Sequence, residues 1–474
     1  MRSRLHSPLA FIVLTLWPVA AGVMFSRLDR VQAVIWTLLG GYLLLPPVVA
    51  IDLPMLPAMD KNTIAAVSAL VGVAVLGTGA GAEAPRMPLW IRALLLLAVS
   101  APMLTALANP EPLTVGSNFR PGMTPYDGIT GAMGAVLELT PFVLGYLVLS
   151  SPAALRSWLA ALVLAGFAYA WPMLLEIRLS PQLNVWIYGF FAHDFGQMMR
   201  YGGFRPMVFL SHGLWVALFA CMAVLAAAVR LRDPAVRRPG RGARAALLVF
   251  LLVVLVLCKS MAALIYALLL VPLVLLAPVR LQFAVAALLA VVVLSYPLLR
   301  WVEVLPVRAI TDLAHDISPE RGQSFGFRMT NEDMLLARAA EKPWTGWGGW
   351  NRNHVVDPFT GRVATVTDGK WIVQMSSAGL LGFAWMFGLL SGSVLRAARA
   401  AWRRPAASDL PAAGLALILA ANLVDLLPNA TLTSLSWVCA GSLAGWAVRR
   451  QEAAGPASTP AATGRAAPLR VVLS

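Results

Sequence analysis

ARAALLVFLLVVLVLCKSMAALIYALLLVPLVLLA, residues 243–277, is interrupted by charge only at Arg244 and at Lys259. A helix needs about 20 residues to cross the hydrocarbon core, so the stretch is too long for one crossing and reads as two helices hinged at Cys258-Lys259-Ser260. A lysine held in hydrocarbon costs about 3 kcal/mol. A hinge at a membrane face removes that cost, so the spacing predicts a helical hairpin with Lys259 at its surface turn.

Similar apolar runs lie near 8–25, 31–50, 63–81, 90–107, 131–149, 153–173, 206–229, 280–299, 372–395, 411–428 and 431–448. With the hairpin they make roughly 12 or 13 spans by the length rule. Hydrophobic residues are 59% of the chain and charged residues 12%, against about a quarter charged in soluble domains. The expected fold is therefore an all-α polytopic membrane bundle, with a bundle over 1–299, a large loop over 300–371, further membrane helices over 372–450 and a disordered tail over 451–474. The net charge of +15 does not indicate a nucleic-acid partner, because the arginines cluster between spans. Arg230, Arg232, Arg237, Arg238, Arg241 and Arg244 fill one connection; Arg396, Arg399, Arg403 and Arg404 fill another; Arg449 and Arg450 follow the last run. Arginine-rich connections face the cytoplasm. That puts 108–130, 174–205, the Lys259 hinge and the 300–371 loop together on the opposite, extracytoplasmic face. Arg2 and Arg4 favour an inner N-terminus, whereas thirteen spans with an inner C-terminus place it outside. Residues 1–25 have a signal-peptide outline but read as a first membrane helix. Gly77-Thr78-Gly79-Ala80-Gly81 reads as a flexible span end. Cys221, Cys258 and Cys439 lie in apolar runs without paired spacing, which argues against disulfides and thiolate metal sites.

The large loop is polar yet carries Phe325, Phe327, Trp344, Trp347, Trp350 and Phe359, more aromatics than a solvated linker holds. It reads as a small folded cap. Thr330-Asn331-Glu332-Asp333 has the form of a capping box, predicting a helix from there through Arg338 that ends near Pro343. Arg328 and Glu332 are spaced to pair. In Pro343-Trp344-Thr345-Gly346-Trp347-Gly348-Gly349-Trp350 the glycines allow sharp turns and the indoles offer flat apolar faces. Those faces suit either a sugar ring or the membrane interface.

Candidate chemistry gathers on the same face. Arg200 and Arg205 precede a span, and guanidinium groups match phosphate oxygens bidentately; snorkelling at the interface is the alternative. His212 sits just inside that span, as a polar-site residue or a satisfied core histidine. Lys259 aims toward the loop. Asp368, with Lys370 beside it, stands where loop meets membrane, as a general base or a helix-start carboxylate. His354 titrates near neutrality and is the second base candidate. There is no zinc motif, phosphate-cradling loop or nucleophile elbow.

This layout resembles the O-antigen ligase and polymerase family of bacterial membrane proteins. The likeness rests on the one large loop in the C-terminal third, on Arg328 followed by a helix, on Pro343 with Gly346-Trp347-Gly348, and on Gly379-Leu380-Leu381-Gly382. Asp52-Leu53-Pro54 with Pro57, Glu176-Ile177-Arg178 with Ser180-Pro181-Gln182, and Gly203-Phe204-Arg205-Pro206 through His212-Gly213-Leu214 resemble its exopolysaccharide-cluster branch. The resemblance implies an inner-membrane glycosyltransferase that uses a polyprenyl-diphosphate-linked glycan without metal, nucleotide or other cofactor, alongside membrane lipid and other polysaccharide-assembly proteins. It implies that Arg200, Arg205, Lys259 and Arg328 hold the diphosphate, with His212 and Lys370 near it and Trp347 against acceptor sugar. Arg205 fits the family's first arginine position; Lys259-Ser260 stands where relatives carry a serine–arginine pair. The family's junction histidine is absent, leaving Asp368 or His354 as base. Polymerisation is the leading expectation, with ligation or protein O-glycosylation second. Translocation of the same lipid-linked glycan, or a non-catalytic accessory role, is the reading from another class.

Overall fold

In hydrocarbon each backbone N–H and C=O must be satisfied within its own segment, which leaves the helix as the only open-ended solution. Each apolar run accordingly folds as one helix. The structure, a computed structural model, describes residues 7–52, 57–75, 85–200, 202–302, 304, 311–312, 315–316, 319–402 and 405–454. Arg2, Arg4, Leu53-Pro54, the Gly77–Gly81 span end, Arg308, Arg403, Arg404 and the tail beyond 454 lie outside these described residues.

The helices are α1 (Pro8–Arg27), α2 (Arg30–Leu44), α3 (Lys61–Val75), α4 (Leu89–Leu107), α5 (Pro125–Val148), α6 (Pro152–Leu179), the short α7 (Leu183–Tyr188), and α8 (Gly213–Arg232). Then come α9 (Arg241–Leu257), α10 (Met261–Leu276), α11 (Val279–Trp301), α12 (Pro319–Ala340), α13 (Lys370–Trp402), α14 (Leu410–Asp425) and α15 (Ser434–Ala454). Three small antiparallel hairpins are the only strands paired among the described residues. The protein is an all-α polytopic membrane bundle. Eight of its described helices are long and apolar enough to cross a membrane, fewer than the 12 or 13 expected. The difference lies in helices such as α2 and α3, each 15 residues, which reach only about 22 Å at 1.5 Å per residue. α8 and α14 are apolar all round and buried at the centre, as that composition requires.

Polar contacts show which helix ends meet. At one end Arg156 pairs with Asp233 at 2.8 Å, Arg450 with Asp409 at 2.8 Å, and Arg449 Nε donates to Ser150 Oγ at 2.8 Å. At the other end Lys61 Nζ donates to the Phe209 carbonyl at 2.9 Å, Lys259 Nζ to that of Arg200 at 3.0 Å, and Lys342 Nζ to that of Ala108 at 2.8 Å. The Lys370 N–H reaches the Leu426 carbonyl at 2.9 Å. All four lysines therefore share the loop end, while the arginine-rich connections share the other, as expected. Ser7 packs beside Gly189 at the loop end, so α1 starts at that end, opposite the arginine-rich connections.

The loop folds as a cap, with two departures from expectation. α12 begins at Pro319, a full eleven residues before Thr330, and the Thr330 hydroxyl donates back to the Gly326 carbonyl at 3.0 Å. No capping box forms there because the position is inside a helix. Arg328 does not pair with Glu332. Glu332 is buried, with Arg300 Nε at 3.5 Å and hydrogen bonds from Tyr296 Oη at 3.2 Å and Trp371 Nε1 at 3.3 Å. A buried carboxylate needs several donors, and this set pins α12 to α11 and α13.

α13 is broken at Gly379, where φ is 65° and ψ −163°, a region essentially closed to other residues. The break is filled by the tryptophan–glycine segment. Trp347 and Gly348 N–H groups donate to the Ser376 and Ser377 carbonyls at 2.9 and 2.8 Å, and the Pro343 and Trp344 carbonyls accept from Leu380 and Leu381 at 2.7 and 3.1 Å. Both helix ends are thereby satisfied by the loop, which is what permits a broken helix at this depth.

Candidate functional site

Three polar groups occupy the loop end. The first is built on the α7–α8 connection. Glu176, buried at the end of α6, accepts the N–H groups of Leu183, Met207 and Val208 at 2.9, 2.7 and 2.7 Å. That clamp holds the segment carrying Arg200 and Arg205 across the bundle. Lys259 stands at the predicted hinge with φ of 53°, a strained left-handed position, and its ammonium reaches the Arg200 carbonyl. No carboxylate pairs with Lys259 or Arg200 among the described residues. Arg205 is buried beside Gly213. The structure thus brings Arg200, Arg205 and Lys259 together from segments far apart in sequence.

His212 belongs to this group in a different role. Its Nδ1 accepts the Leu214 N–H at 3.0 Å, capping α8, so Nε2 carries the proton toward Gln197 Oε1 at 3.3 Å. Burial, then the nearby Arg205, pushes its pKa down to about 4. His212 is a neutral cap, and not a cation for an anionic ligand. The ring of His193 lies edge-on at 4.6 Å between centroids.

The second group is Arg328 with Asp368, Nε to Oδ2 at 3.4 Å, both half-exposed beside a cleft of about 40 Å³ that Val366 and Pro428 also line. Beneath it Asp425, buried at the end of α14, accepts from Asn429 Nδ2 at 3.1 Å and Tyr266 Oη at 3.3 Å. Tyr266 lies seven residues after Lys259 on α10, about 10 Å along a helix axis. Tyr266 thus ties α10, the helix that follows the Lys259 hinge, to Asp425 at the end of α14. Lys370 starts α13 two residues from Asp368.

The third group is separate. His354 lines a cavity of about 370 Å³ with Arg120, Arg338 and Glu341. Its Nδ1 faces the Thr365 carbonyl at 3.1 Å, which makes Nδ1 the donor and leaves Nε2 to accept a proton. Burial lowers its pKa, with Arg120 adding to the effect against the Thr365 bond. Trp347 does not offer a sugar platform: it is buried, its indole N–H donates to the Arg338 carbonyl at 2.8 Å, and the Arg338 guanidinium lies 3.3 Å over the ring. The exposed indoles of this segment are Trp344 and Trp350.

Arg120, Arg338, Arg352 and Asp425 escaped the reading of the sequence as site residues. Asp425 had a usable signal, a lone acid in the 411–428 apolar run. Arg352 had none, since its burial follows from Nε donating to the Trp347 carbonyl at 3.1 Å and Nη1 to the Pro121 carbonyl at 2.6 Å. No known protein family and no curated protein matches the sequence.

Proposed function

We propose that the protein is an extracytoplasmic glycosyltransferase that takes a polyprenyl-diphosphate-linked glycan and extends or transfers it. The observation that carries the reading is the convergence of Arg200, Arg205 and Lys259, with Arg328 on the same loop end, opposite the arginine-rich connections. By the positive-inside rule the arginine-rich end is cytoplasmic, so the cationic group faces a lipid-linked donor on the outer leaflet. Arg200 and Lys259, which face no carboxylate among the described residues, suit a diphosphate that gains charge as it leaves. The acceptor oxygen bonds to the anomeric carbon while the bond from that carbon to the diphosphate oxygen breaks. The proton of the acceptor hydroxyl passes to a base.

Asp368 is the base this arrangement favours. Arg328 holds it in the resting state, and a diphosphate that engages Arg328 frees the carboxylate beside the reacting centre. His354 Nε2 is the alternative, set in its own cavity. Chain extension is preferred over ligation because the cleft and the His354 cavity lie on the same cap, where a growing glycan can span both. The broken helix α13 does not argue for a translocator: its freed backbone groups are bonded to the loop and line no open path. Purified protein in proteoliposomes, given a lipid-linked oligosaccharide, should yield longer chains and free polyprenyl diphosphate. Translocation without a new glycosidic bond would refute the proposal.

A further inference from the structure

At the arginine-rich end, far from the groups above, α13 leaves an open groove between α4 and α11. Its volume is about 1650 Å³, above the range of roughly 300–1,000 Å³ that suits drug-sized ligands. The floor is apolar. Trp90 lies so close over Gly392 that a β-carbon there would come within 2.9 Å of the ring, and Leu395 and Ala287 complete the walls. At the rim stand Arg396 and Arg399, both exposed and on the same face of α13 as Gly392 and Leu395. Arg396 leans toward Trp90, 5.7 Å from guanidinium carbon to ring centre, and Trp402 is held by Arg280 at 4.5 Å.

Arg450 also lines the groove, but Asp409 neutralises it at 2.8 Å. Arg396 and Arg399 face no carboxylate among the described residues. The groove is therefore apolar at its floor, cationic at the rim and bordered by tryptophans, which settle at the headgroup level of a bilayer. We infer that it is a binding site for an anionic glycerophospholipid, the phosphate at Arg396 and Arg399 and an acyl chain along Gly392, Leu395 and Ala287. A zwitterionic lipid would bring its own cation to the rim and lose the advantage. The chain's own tail is a poor occupant, because residues 455–474 carry Arg465 and Arg470 and no acidic side chain.

The test uses the full-length protein, delipidated in detergent and titrated with phosphatidylglycerol or phosphatidylcholine, bound lipid being counted by native mass spectrometry. Wild type should prefer phosphatidylglycerol. Arg396→Gln with Arg399→Gln should cut that preference about thirtyfold, at the usual contribution of each arginine near an anionic headgroup. Arg396→Lys with Arg399→Lys should largely keep it, which separates charge from misfolding. Ala287→Leu should weaken binding of the lipid by narrowing the groove while both arginines remain. Arg237→Ala with Arg238→Ala, at the same end but outside the groove, should leave the preference unchanged. Equal loss in that control would overturn the inference in favour of general surface attraction. Displacement of the lipid by millimolar inorganic phosphate would overturn it in favour of a soluble anion, and no preference in wild type would overturn it outright.

Discussion

Gly346→Ala tests the joint between loop and broken helix. A β-carbon on Gly346 would lie 2.5 Å from the Ala378 nitrogen and the Ser377 carbonyl carbon, and 2.6 Å from the Gly379 nitrogen. All three are backbone atoms, so no side chain can swing aside. The residue also sits at φ of 64°, where a side chain adds roughly 1–2 kcal/mol of strain. Relief requires the segment to lift from α13, which breaks the four N–H···O bonds made by Trp347, Gly348, Leu380 and Leu381. At about 1 kcal/mol net each they contribute roughly 4 kcal/mol. Losing half of that makes the open state roughly thirtyfold more populated. Hydrogen–deuterium exchange read by mass spectrometry should show those four amides exchanging faster by that factor, while helices α8 and α14 stay protected. Gly349→Ala is the control, since nothing lies within 4 Å of its added carbon. Unchanged exchange in Gly346→Ala, or equal acceleration in Gly349→Ala, would refute the account of why these glycines are there.

Arg205→Ala and Lys259→Ala should each lower glycan transfer by at least tenfold with normal membrane insertion, and Lys259→Arg should retain more activity than Lys259→Ala; near-normal product from both alanine variants in the proteoliposome assay sinks the diphosphate assignment. Asp368→Asn should cost about 10²–10⁴-fold in rate if it is the base, whereas full activity there with loss in His354→Gln moves the role to His354. The folded His354 has a lowered pKa, so the unfolded chain takes up the proton first, and the cap should lose protection as pH falls below about 6.5; His354→Gln should abolish that loosening in exchange measurements, and an identical pH response would show the effect lies elsewhere. Cysteine labelling should find a residue introduced at Trp350 accessible from outside and one at Arg238 only from inside, and the reverse pattern would overturn the mechanism with the orientation.

The membrane bundle, the Lys259 hinge and the separation of the arginine-rich connections from the loop end were readable from composition and spacing alone. Hydrophobic run length and the cost of charge in hydrocarbon are local properties, and they act before any tertiary contact forms. The partners of the charged side chains were not readable. Arg328 and Glu332 have the spacing of a helix pair, yet burial of Glu332 against Tyr296 and Trp371 takes it to Arg300 and leaves Arg328 for Asp368. His212 read as a polar-site residue or a satisfied core histidine, and only the Leu214 and Gln197 contacts show it capping α8. Trp347 looked like an open platform until α12 laid Arg338 across it. Gly346 and Gly379 were visible as glycines, but the reason for them is a close approach of two distant segments: Gly346 leaves room for the backbone of residues 377–379, and Gly379 for that of Trp344 and Thr345. Which charges pair, and which surfaces stay open, depends on the desolvation that packing imposes, and packing joins residues that no sequence interval relates.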